Sequence, residues 1–68
     1  MTAKDLLQRP CMFFLPDGTE QHGIIVSAVE DLPYGAGEIP DFQVTVRGKS
    51  GKTVTVSLVE SYLRTTDK

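Results

Sequence analysis

Cysteine and histidine each occur once, as Cys11 and His22, in a chain of 68 residues. One cysteine excludes an internal disulfide. One cysteine with one histidine cannot supply the four ligands of a structural zinc site within a single chain. No apolar run approaches the ~18–20 residues a membrane helix needs. Residues 1–10 lack the apolar stretch of a signal peptide. The expectation is a cytoplasmic protein with no membrane segment and no cofactor. Lysine and arginine are missing from residues 17–41, where Asp17, Glu20, Glu30, Asp31, Glu38 and Asp41 give a net charge of −6. Residues 42–68 carry net +3, and the whole chain −2, so no global charge draws it to nucleic acid. A core this small rarely supplies more than about 3–5 kcal/mol. With disulfide and zinc excluded, self-association is the remaining common source of stability, and a homo-oligomer is expected.

The chain is organised around Leu15-Pro16-Asp17-Gly18-Thr19. An apolar run, Cys11 to Leu15, enters a turn at Asp17-Gly18. A second, Ile24 to Val29, leaves it. Gly18 takes φ > 0 without steric cost, Asp17 tolerates the turn, and Pro16 presets φ ahead of it. This predicts a hairpin of strands at about 11–15 and 19–30. Gly23, inside the second strand, signals a sharp bend or a close backbone approach. Thr2 and Asp5 have the spacing of a capping box for a helix over 2–9. Pro10 ends that helix, and Leu6 and Leu7 are expected to pack down on the barrel. Strands at about 41–47 and 53–58 alternate with period two. Phe42, Val44 and Val46 point inward on one, and Val54, Val56 and Leu58 on the other. Gly48 to Lys52 joins them as a hairpin turn. Val59-Glu60-Ser61 makes a single turn before a last strand at about 62–64.

Few residues carry chemistry. Gly48-Lys49-Ser50-Gly51-Lys52-Thr53 looks like a phosphate-binding loop, but Val46 stands where its first glycine belongs and a strand follows the lysine. Arg47, Lys49 and Lys52 remain a possible set of anion or nucleic-acid contacts. Glu20 lies two residues before His22 on the same strand face, and His22 reads as a surface residue. Ser27 or Ser57 would have to approach it for nucleophilic chemistry. Cys11 reads as a buried small hydrophobe. Glu30, Asp31, Glu38 and Asp41 bracket a long loop but match no calcium-loop spacing. That loop carries Leu32, Tyr34 and Ile39, apolar residues that solubility does not require, and these are the expected partner-binding residues.

Leu15-x-Asp17-Gly18-x-x-x-x-Gly23-x-Ile25-x-Ser27 resembles the first signature of the Sm-like family. The resemblance implies a short N-terminal helix, five strongly bent strands, and subunits that pair edge strands into a ring. Sm-like proteins place an aromatic-Asp pair after the second strand for stacking on RNA. Ala28-Val29-Glu30-Asp31 occupies that region here, and Ser57-Leu58-Val59-Glu60 replaces the basic element of the second signature. The RNA pocket is therefore not carried over. The fold class expected is all-β: one domain over 1–68, a five-stranded SH3-like or Sm-like barrel with a short N-terminal helix. The function expected is a non-enzymatic, self-associating assembly module that engages a protein partner through Leu32, Tyr34 and Ile39. The alternative is an RNA-binding Sm-like oligomer using Arg47, Lys49, Lys52 and Arg64. A third reading is an enzyme whose site forms only between subunits, around His22 or Tyr62.

Overall fold

The computed structural model describes residues 3–31 and 41–66. It consists of a short helix α1 (Ala3–Leu6) and strands β1 (Pro10–Phe14), β2 (Glu20–Asp31), β3 (Asp41–Arg47), β4 (Thr53–Ser57) and β5 (Arg64–Thr65). The strands form one antiparallel sheet in the order β4-β3-β2-β1-β5. All-β is therefore correct. β4 and β5 are the two edges and do not pair with each other among the described residues.

The hairpin forms as its turn residues require. Leu15 donates its N–H to the carbonyl of Thr19 (2.9 Å), and Gly18 donates to Leu15 (2.8 Å). Asp17 Oδ1 accepts from the N–H of Thr19 (2.9 Å). Gly18 sits at φ 87°, where a side chain would be strained. β1 is covered on both faces. Cys11 and Phe13 join the core, while Met12 lies on the other face, beneath the guanidinium of Arg64.

β2 is shared between two partners. Glu20 to Ile24 pair with β1, and Ile24 to Asp31 pair with β3. The change of partner happens at Gly23 and Ile24, followed by an irregularity in register between Ile25 and Ser27. Gly23 permits it. A Cβ there would lie 2.5 Å from the carbonyl oxygen of Arg47 and 2.6 Å from Val46 Cγ1. The close approach read from the sequence is thus an approach of β2 to the end of β3. It brings Ile25, Val44, Val46 and Phe42 into one buried cluster with Phe13, Leu6 and Leu63.

Four expectations need correction. The helix spans Ala3–Leu6, not 2–9, because Gln8 adopts φ 65° and gives its N–H to Ile25 (2.8 Å). Leu6 is buried and Leu7 is 40% exposed, since so short a helix presents only one side to the sheet. Val54 is also 40% exposed, unlike Val44 and Val46 opposite. It lies on an edge strand, and the other edge, β5, has only two residues with which to cover it. Val56 and Leu58 do pack against the core. The last strand starts at Arg64 rather than at residue 62.

Gly23→Ala is expected to cost about 2–4 kcal/mol, because the contacts that must yield include backbone. At Gly48 a Cβ would meet only the carbonyl of His22 at 3.9 Å. Gly48→Ala is expected to stay within about 0.5 kcal/mol of the parent. Urea unfolding of both variants checks the contrast.

Candidate functional site

The densest polar arrangement among the described residues surrounds Asp41, the first residue of β3. Its Oδ1 accepts from the N–H groups of Phe42 (2.7 Å) and Val59 (3.0 Å), and its Oδ2 accepts from Ser57 Oγ (2.5 Å). Ser57 Oγ in turn accepts from the N–H of Glu60 (3.2 Å), which makes Ser57 the N-cap of the turn that follows. Ser61 Oγ donates back to the Ser57 carbonyl (2.5 Å). One carboxylate thus locks the start of β3 to the turn between β4 and β5. Burial pushes the Asp41 carboxyl upward, but the bonds from Ser57, Val59 and Phe42 outweigh it and hold it below the ordinary 3.8.

The turn closes with two further bonds. Leu63 donates to the carbonyl of Leu58 (3.0 Å), and Tyr62 donates to that of Val59 (3.3 Å). Six-to-one and five-to-two bonds of this kind define a Schellman closure, in which the penultimate residue takes the left-handed conformation and is usually glycine. Here it is Tyr62, at φ 54°. Leu58 and Leu63 make the apolar contact typical of the motif, within the core. Tyr62 itself points outward and is 76% exposed. An L side chain in this region costs about 1–2 kcal/mol.

Tyr62 stands at the rim of an open cleft of about 700 Å³ between the β1–β2 turn and the β4–β5 turn. Phe14, Leu15, Pro16 and Val56 supply apolar lining, and Glu60 is the one charged residue among those that line it. A second cleft, of about 360 Å³, lies between α1 and β5 over Leu6, Leu58 and Leu63, with Arg9, Arg64 and Asp5 around it.

The residues expected to bind a partner, Leu32, Tyr34 and Ile39, lie outside the described residues. Arg47, Lys49 and Lys52 are brought together at one end of the sheet, all exposed, by a turn in which Gly48 donates to Lys52 (3.0 Å) and Gly51 sits at φ 86°. His22 and Glu20 are exposed neighbours on β2, with Nε2 and Oε2 2.5 Å apart. The hydroxyl of Ser57 is engaged by Asp41, on another part of the sheet. Cys11 is buried, and desolvation pushes its thiol upward, away from the reactive thiolate form. Among the described residues no group of three or more metal-ligating side chains converges, and no helix is long and apolar enough to cross a membrane.

Read from the sequence, Asp41 is only one of four carboxylates bracketing the loop, Tyr62 only a residue of a site between subunits, and Glu60 has no role beyond its turn. A signal existed for the turn: Ser57-Leu58-Val59-Glu60 has the S-x-x-E spacing of a capping box. Nothing in the sequence marks Tyr62 as left-handed. No family model, curated protein or solved structure matches the chain.

Asp41→Asn is expected to lower stability by about 1–3 kcal/mol by breaking the hub. Acid adds a second test. Asp41 has a lower pKa folded than unfolded, so its contribution is full above the unfolded value and is lost as pH falls through the folded one. The parent's melting temperature should therefore drop on acidification below about pH 4, and that of Asp41→Asn should drop less.

Proposed function

We propose that this chain is a non-catalytic, self-associating binding module, a small barrel of the Sm-like or SH3-like kind that engages a protein partner. The observation that carries self-association is the open edge of β4. Gly48 donates to Lys52, and Leu58 donates to Phe42 (2.9 Å), so the ladder to β3 uses the N–H groups of alternate residues from Val54 onward. Those of Thr53 and Thr55 face outward. Natural edge strands are commonly protected by proline, by an inward charge or by a bulge. β4 reads Thr-Val-Thr-Val-Ser and has none of these. The short β5 at the opposite edge offers the complementary strand of a second copy, as edge pairing into a ring requires. Subunits joined this way would also cover Val54 and add the burial that a chain of 68 residues needs.

The exposed trio Arg47, Lys49 and Lys52 supports a second reading, in which the oligomer binds RNA through the β3–β4 turn. That reading requires affinity that falls steeply with salt.

Light scattering over a tenfold dilution tests the first reading. The expected mass is a multiple of 7.5 kDa that declines on dilution. Thr55→Pro removes an outward N–H and leaves the β3 ladder intact, so it should shift the mass to the monomer without abolishing the fold. A parent that stays monomeric at high concentration overturns self-association. RNA binding absent at low salt overturns the second reading.

A further inference from the structure

From the geometry at Tyr62 we infer that the cleft between the β1–β2 and β4–β5 turns is a docking site for an extended, arginine-bearing segment of a protein partner. The inference rests on the binding-module reading only in taking the partner to be a protein. It does not depend on self-association.

The backbone supplies the first observation. Tyr62 occupies the left-handed position of a Schellman closure, where glycine fits without strain. Its side chain is 76% exposed and is not part of the core cluster. Stability therefore does not account for a tyrosine here. Non-glycine residues held in sparsely populated conformations cluster at ligand clamps and other functional sites. This one borders a cleft of about 700 Å³, large enough for several side chains of an extended segment.

Charge supplies the second. Glu60 is the one charged residue that lines the cleft, and no lysine or arginine is among the lining residues. Asp17 is fully exposed, and hydrogen bonds from the backbone and the hydroxyl of Thr19 hold its carboxyl below the ordinary value, so it is ionised at neutral pH. The site thus combines an exposed aromatic ring, apolar lining at Phe14, Leu15 and Val56, and the anionic Glu60, with Asp17 next in sequence to the lining residues Pro16 and Gly18. A guanidinium suits all three. It stacks on the face of a tyrosine, pairs with a carboxylate through a planar fork, and lays its methylene stem along apolar surface. An ammonium lacks the flat stack and the fork. A phosphate backbone would be repelled by the Glu60 carboxylate.

The test uses three labelled peptides of equal length, alternating Arg-Leu, Lys-Leu and Glu-Leu, with binding read by fluorescence anisotropy. Arg-Leu should bind the parent more tightly than Lys-Leu, and Glu-Leu should not bind. Tyr62→Gly should weaken Arg-Leu binding about tenfold, and Glu60→Gln about threefold. Tyr62→Gly should also raise the melting temperature by about 4 °C, because the strain is relieved. Unchanged Arg-Leu binding in Tyr62→Gly, or binding of Glu-Leu, overturns the inference. So does a lower melting temperature in Tyr62→Gly, which would make Tyr62 a structural residue. A change in its oligomeric mass would instead make the cleft a contact between copies of this chain, and would also overturn it. A monomeric parent that binds Arg-Leu as described refutes self-association and leaves this inference standing.

Discussion

The carboxylate of Asp41 is the constraint on which the far side of the molecule depends. It accepts from three donors belonging to β3, β4 and the turn after β4. Beyond Leu58, which still donates to Phe42, residues 59–63 belong to no strand, and the N–H of Val59 finds its acceptor in Asp41. With Asp41 in place, Ser57 caps the turn, Leu58 and Leu63 close it, and Leu63 enters the core. The chain then reaches β1. Phe14 donates to the carbonyl of Ser61 (2.8 Å), and Thr66 donates to that of Pro10 (2.9 Å), which seats β5 at the edge opposite β4. One partly exposed carboxylate thereby helps fix the path between the two edges of the sheet.

Two surfaces of different character result. The edges expose backbone, which recognises another strand with little regard to its sequence. The β4–β5 turn exposes a side chain, Tyr62, in a conformation that glycine would adopt more readily. The proposed roles follow this division: assembly through the edges and partner selection through the turn. The cations at the β3–β4 turn stand at the end of the hairpin, while Glu60 lines the cleft, so the two surfaces carry opposite charge.

Local signals read correctly wherever a single residue had few alternatives. Asp17-Gly18 specified the hairpin because φ 87° is open to glycine. Gly23 marked a close approach because nothing larger fits beside Arg47 and Val46. The alternation of Phe42, Val44 and Val46 gave the inner face of β3. The same alternation misplaced Val54, since period two says which side a residue faces but not whether an element lies there to cover it. The helix was read too long because propensity carries no information about Gln8, whose N–H is claimed by Ile25 from a distant strand. Asp41 looked like one more acid beside a loop. Its role depends on Ser57 and Val59, residues 16 and 18 positions away, and such a constellation exists only once the strands are paired.

Amide hydrogen exchange in the parent and in Asp41→Asn tests the central claim, that one carboxylate holds the whole turn as a unit. The amide of Val59 bonds directly to Asp41, whereas those of Tyr62 and Leu63 bond only within the turn. The account predicts that all three lose protection together in the variant, while Val44 and Val46 in β3 keep theirs. Loss of protection at Val59 alone, with Tyr62 and Leu63 unchanged, would contradict it.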